Sequence, residues 1–196
     1  MKDFIMKNKG KILFILAIAI LVAIVGIYAI ANLPKKVAIE QVDEEIKASV
    51  EEVPEGYVGI TDAQGLKDMA NDLAGNYILM ADIDMEGEEW TPIGLNASSA
   101  FTGILEGNYH TISNLTISSS NQYVGMFGYI NGGTAQNLIL ENVNVTSSGS
   151  TKYEGALVGY NAGIINNIEV SGEVKTTITG STGWNLNVGG VIGYNT

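Results

Sequence analysis

The sequence predicts an all-β fold: a parallel β-helix with a short capping helix at its start, preceded by a single transmembrane or signal helix. Three observations predict it. Short apolar segments punctuated by Gly and Asn recur from about Phe101 to the end of the 196 residues. Helical periodicity occurs before those segments and not within them. An uninterrupted apolar run, Ile12 to Ala31, lies behind a lysine-rich start. The chain therefore divides into an anchor or signal peptide (1–36), an acidic linker or stalk (37–56), a capping helix with entry strands (57–100) and the repeats (101–196).

Lys2, Lys7, Lys9 and Lys11 precede the apolar run, and Lys35 and Lys36 follow it. Twenty residues at 1.5 Å rise make about 30 Å of helix, the hydrocarbon thickness of a bilayer. The run exceeds the roughly 7–15 residues of a signal-peptide core, which favours an uncleaved anchor. The small-residue pattern Ala29-Ile30-Ala31 leaves cleavage after Ala31 open. Either way the membrane is a partner through residues 12–31. Four leading lysines outweigh two trailing ones, so the bulk of the chain is expected outside the cytoplasm, membrane-anchored or secreted. Charge divides in the same place. Residues 1–36 hold six Lys against one Asp, a net of +5; residues 37–196 hold four Lys against twenty acids, a net of −16. An acidic exterior repels phosphate backbones, which argues against a nucleic-acid partner. With no Cys, disulfides, thiol catalysis and Cys-ligated zinc are excluded, and a single histidine, His110, excludes two-histidine motifs.

From Glu40 to Glu55 stand seven acids and one Lys. Ile39, Val42, Ile46, Val50 and Val53 recur at helical steps, so the segment reads as a short stalk helix or as a solvated linker. Thr61-Asp62-Ala63-Gln64 has the form of a capping box with Thr61 as the cap. Leu66, Met69, Ala70 and Leu73 then form an apolar face, and Gly75 stops it, which predicts a helix of about three turns over 62–74. Tyr77-Ile78-Leu79-Met80-Ala81 follows as a strand running into Asp82-Ile83-Asp84.

The remainder is self-similar. Asn114-Leu115-Thr116-Ile117, Asn137-Leu138-Ile139-Leu140 and Asn167-Ile168-Glu169-Val170 share one form. A glycine series accompanies them: Gly125 and Gly128, Gly155 and Gly159, Gly189 and Gly193. Gly159 follows Gly128, and Gly193 follows Gly159, at the period of a stacked repeat. A unit of about thirty residues cannot bury its apolar face alone, so the units are expected to stack, each strand parallel to its equivalent one winding away. Asn114, Asn137 and Asn167 are then expected to superimpose as a ladder. Repeated glycine suits tight turns and close backbone approach. A β-sandwich is the rival, but it requires hairpin turns between successive strands, and the turn signals recur at repeat spacing instead. The helix over 62–74 would plug the first coil.

Several of these motifs occur together in a known family. Trp90-Thr91-Pro92-Ile93-Gly94, Leu105-Glu106-Gly107-Asn108-Tyr109-His110, Gly125-Met126-Phe127-Gly128-Tyr129 and Gly155-Ala156-Leu157-Val158-Gly159-Tyr160-Asn161 resemble the GLUG-motif repeat surface proteins. The same repeats form the non-catalytic region of immunoglobulin-A-cleaving metallopeptidases. The resemblance covers about residues 57–196. It implies a right-handed β-helix on a cell-surface or secreted protein, often adhesin-like, and it implies no catalysis. The zinc-binding H-E-x-x-H of the peptidase is absent. Gly193-Tyr194-Asn195 should lead into another strand, so the chain is expected to be the opening portion of a longer repeat.

Candidate sites are few. Asp82 and Asp84, two apart with Glu86, Glu88 and Glu89 nearby, are the metal candidates; a hard cation such as calcium is the ion they suit, and a polar turn is the plainer reading. No other cofactor is expected. Glu106, Glu141, Glu154, Glu169 and Glu173 raise paired-carboxylate glycoside chemistry, but carboxylates alternating with apolar residues usually form a solvated strand face. His110 has no titratable neighbour in sequence and reads as structural. Tyr123, Tyr129, Tyr153, Tyr160, Trp184 and Tyr194 form either a glycan-binding strip or a stacking column belonging to the fold. The expected function is non-catalytic surface binding or display, toward a host or cell-surface protein or a glycan. A carbohydrate-active β-helix is the alternative.

Overall fold

The computed structural model describes residues 52–148, 153–177 and 186–196. The expected membrane or signal helix, most of the acidic linker and Trp184 lie outside the described residues. No helix among the described residues is long and apolar enough to cross a membrane.

Strand β1 (Val58–Ile60) leads into helix α1 (Ala63–Asp68), which tightens into a 3-10 turn, Met69–Asn71. Strands β2 (Asn76–Leu79) and β3 (Ile83–Asp84) follow, then β4 (Ile104–Glu106), β5 (Thr111–Ser113), β6 (Thr116–Ser119) and β7 (Tyr123–Val124). Strand β8 (Phe127–Ser148) runs through several bends of one winding; β9 (Tyr153–Glu154), β10 (Val158–Thr177), β11 (Asn187–Val188) and β12 (Ile192–Asn195) complete the order.

Every strand pair among the described residues is parallel. That excludes the sandwich, because parallel neighbours need a crossover rather than a hairpin. The register gives a solenoid of about three windings. Tyr77, Leu105, Ala135 and Ile165 stack in one inward column, and Ile83, Ile112, Leu140 and Val170 in a second. Ile117, Val145 and Val174 make a third. Phe127, Val158 and Ile192 make a fourth. Within each strand the intervening residues face outward, the period-two consequence of the pleat. Phe101 packs on Phe127 with ring centroids 4.8 Å apart, filling the lumen at full burial. Leu66 and Met69 of the helical segment are buried in the same core, so the segment closes the first winding.

Two local expectations change. The helix cap is Asp62, not Thr61: Asp62 is extended, and its carboxylate accepts from the Gly65 amide at 2.8 Å. Both residue types cap well, and a carboxylate gains more from the helix dipole. The helix is also shorter than 62–74. Gly65 weakens its interior, and Asn71 and Asp72 favour turns, so it tightens at Met69 and ends at Asp72. Second, Asn114 does not superimpose on Asn137. Ser113 pairs with Glu141, which sets Asn114 beside Asn142, while Gln136 pairs with Asn166 and sets Asn137 beside Asn167. The β8 winding has two asparagine corners, Asn137 and Asn142, and Asn142-Val143-Asn144-Val145 is the missed counterpart of the Asn114 segment.

Candidate functional site

The corner asparagines have positive φ: 58° at Asn114, 54° at Asn142, 52° at Asn137 and 50° at Asn167. Asparagine enters this left-handed region more readily than other residues with a Cβ, because its short amide bonds locally. The amides then link windings. Asn142 Nδ2 donates to Asn114 Oδ1 at 2.6 Å, and Asn114 Nδ2 donates to Asp84 Oδ1 at 2.8 Å. At the other corner Asn167 Nδ2 donates to Asn137 Oδ1 at 2.9 Å, and Asn137 Nδ2 donates to Glu106. Glu106 also accepts from Gln136 Nε2 at 2.7 Å and from the Asn108 amide at 2.8 Å. A third asparagine pair, buried Asn161 with Asn195 at 2.6 Å, ties β10 to β12.

Asp82 and Asp84 both lie on the outer surface of the first full winding. Asp82 Oδ1 accepts from the Thr111 amide and sits 2.9 Å from His110 Nδ1. His110 therefore has an acidic partner one winding away, which spacing along the sequence does not reveal. Asp84 also accepts from the Glu86 amide at 3.0 Å. The Asn114 amide chiefly, and the Glu86 amide next, hold the Asp84 carboxyl below its ordinary pKa. Among the described residues no group of three or more His, Asp or Glu side chains is placed to hold a metal ion.

The glycines of the repeat stand where backbones meet. A Cβ on Gly128 would lie 2.5 Å from the Gly94 oxygen, and one on Gly159 would lie 2.7 Å from the Val124 nitrogen. Gly125, Gly155 and Gly193 meet neighbouring backbone in the same way, while a Cβ on Gly189 would strike the Ile192 oxygen of its own turn.

Two features go beyond stitching. The first is a tyrosine face. Tyr123 stacks on Tyr153 at 5.2 Å; Tyr129 stacks on Tyr160 at 4.4 Å, and Tyr160 on Tyr194 at 5.1 Å. The two columns meet edge to face, with Tyr123 and Tyr129 at 5.2 Å and 78°. These are the favourable aromatic geometries. Burial first, and then neighbouring phenols, raise the pKa values of Tyr123 and Tyr129. Most ring faces are spent on one another; Tyr194, at 41 % exposure, ends the column. The second feature is Glu154, wholly buried in the lumen between Val124 and Val188 of its column. One carboxylate oxygen accepts from the Ser147 hydroxyl at 2.7 Å and from Thr176; the other has no hydrogen-bond partner. Alternation alone assigns Glu154 to a solvated face, and the reversed polarity of this one column is invisible without the register.

No protein-family model matches the chain. The chain is 34 % identical over 145 residues to a Haloquadratum walsbyi protein named Halomucin, an alignment covering 68 % of this chain and 2 % of that protein. It is 33 % identical over 175 residues to an Evansella cellulosilytica protein named as a Gly-rich membrane protein, covering 84 % of this chain and 19 % of that one. The chain thus spans under a fifth of the length of either relative. Among solved structures it is similar to one named as an immunoglobulin A1 protease from Bacteroides ovatus, with 22 % identity and a TM-score of 0.49 over 66 % of this chain and 44 % of that one.

Proposed function

We propose that the chain is a non-catalytic, extracytoplasmic display module of the GLUG-repeat kind. In this reading it is a right-handed β-helix held to a membrane through residues 12–31, or released by cleavage after Ala31, and it presents its outer faces to cell-surface proteins or glycans. Right-handedness follows the strong bias of parallel crossovers. One observation carries the non-catalytic reading: Asp82, Asp84 and Glu106 each bond a side chain of the next winding. Asp82 meets His110, Asp84 meets Asn114, and Glu106 meets Gln136 and Asn137. A carboxylate that holds a neighbouring winding is committed to a structural role, and a general acid or base must instead have its proton free to transfer to substrate. A relative named as a membrane protein supports the location.

The test is fractionation of cells making the full chain, followed by a membrane-impermeant amine label on intact cells. The expected result is a chain in the membrane or external fraction, labelled on Lys67 or Lys175. A chain confined to the cytoplasmic fraction and unlabelled until lysis overturns the proposal.

A further inference from the structure

Packing does not exhaust the chemistry of the tyrosine face. Tyr129 and Tyr160 are register partners in β8 and β10, so the sheet itself sets their rings one strand spacing apart. The ring centroids lie 4.4 Å apart with the planes 16° from parallel, the shortest tyrosine contact among the described residues. Burial, the neighbouring Tyr160 phenol and a side-chain hydrogen bond to it raise the Tyr129 pKa, in that order. The hydrogen bond brings hydroxyl beside hydroxyl, so the ring carbons ortho to each hydroxyl face each other across the stack. Both rings are half-buried on the outer surface, partly open to solvent and able to tilt.

Two phenols held this way are poised to couple on oxidation. Loss of one electron and one proton from each gives a pair of phenoxyl radicals, with unpaired density on the oxygen and the ortho carbons. Free tyrosyl radicals must diffuse to meet; here the second forms beside the first. One ortho carbon of each ring joins in a new carbon–carbon bond, and each of those carbons then passes its hydrogen back to the phenolic oxygen as the ring regains aromaticity. The pair has lost two electrons and two protons in total, which reduce one hydrogen peroxide to two waters.

We propose that Tyr129 and Tyr160 are an oxidative cross-linking site, coupled to dityrosine by hydrogen peroxide through a haem peroxidase, and that the bond staples the β8 winding to the β10 winding. The chain has no cysteine, so a disulfide cannot serve this purpose. Such a link restricts the unfolded chain in the way a disulfide does. Tyr123 and Tyr153 also stack, but at 5.2 Å they stand farther apart and rank second.

The test treats the full chain, dilute in detergent micelles, with hydrogen peroxide and a haem peroxidase. The expected product is a monomer lighter by two hydrogens that shows dityrosine fluorescence, and tandem mass spectrometry of its digest joins Tyr129 to Tyr160. Tyr129→Phe and Tyr160→Phe each keep the ring and remove the oxidisable hydroxyl, so each is expected to lower that fluorescence at least tenfold. Tyr109 stacks on no other ring among the described residues, and Tyr109→Phe is expected to leave the yield unchanged. The parent chain unfolded in urea is expected to give at least tenfold less product within one chain. The coupled chain is expected to unfold in urea at least tenfold more slowly than the parent. A yield that Tyr160→Phe leaves unchanged, a link mapped mainly to other tyrosines, or coupling chiefly between chains overturns the proposal. Equal coupling in the unfolded chain overturns it too, because the stack then contributes nothing, and a coupled chain that unfolds at the parent's rate overturns the staple.

Discussion

At the scale of single residues, charge is handled in two ways. Asp84 lies outside, and its carboxylate is favoured by the Asn114 amide. Because its pKa is lowered on folding, the stability it contributes is present above the ordinary carboxylate range and is lost as pH falls through the native value. Asn114→Gly keeps the left-handed backbone and removes the amide. The Asp84 midpoint, followed by carboxyl-carbon NMR, is expected to lie below 3.8 in the parent and to rise toward it in the variant. Glu154 is the opposite case, a carboxyl group shut in the lumen with one oxygen unpartnered. Burying a polar oxygen that accepts no hydrogen bond is costly. Glu154→Val matches the valines above and below it in the column, and Ser147 and Thr176 stand 3.4 Å apart, close enough to bond each other. The variant is expected to be more stable by about 1 kcal/mol in urea unfolding; a loss of that size would mean the carboxylate holds something in place.

At the scale of elements, the tyrosine columns join three windings through side chains where the sheets join them through backbone. Tyr160 touches Tyr123, Tyr129, Tyr153 and Tyr194. Tyr160→Ala is therefore expected to cost about 2–3 kcal/mol, below the loss for a wholly buried ring, and Tyr160→Phe well under 1. The phenols of Tyr123 and Tyr129 have raised pKa values in the fold, so the stability they contribute is present below the ordinary phenol range and is lost as pH rises through their native values. Ultraviolet titration should show these phenols ionising late, together with unfolding. The columns are half legible in the sequence. Tyr129, Tyr160 and Tyr194 follow the repeated glycines and announce themselves, but the edge-to-face contact with Tyr123 and Tyr153 depends on how two sheets meet. The asparagine corners teach the same lesson. Asn114 and Asn137 look alike because each opens an Asn-apolar-x-apolar segment, yet they stand too close along the chain to be a full winding apart. Asn142 is the true counterpart of Asn114, hidden because one winding uses the same local pattern twice. Composition and period reveal parallel stacking; lateral partners such as Asp82 with His110 need the register.

At the scale of the molecule, a solenoid is close to a one-dimensional stack, in which each winding is stabilised by its two neighbours. Strand β8 is paired on both sides, with β4, β5 and β6 below and β10 above. Among the described residues, strand β1 pairs with β2 alone, and β10 beyond Ile164 with β8 alone. Amide exchange should therefore be slowest in β8 and faster toward each end. The plug sharpens this into a directional test. Leu66 is fully buried at the first winding, so Leu66→Ala should cost about 2–5 kcal/mol locally. In a stack that loss first frays the end that bears it: amides of β1 and β2 should lose protection, while those of β10, several windings away, should keep theirs. A two-state globule would lose protection everywhere by the same factor. Exchange measured residue by residue distinguishes the two, and uniform loss across β2, β8 and β10 would mean the windings unfold as one unit.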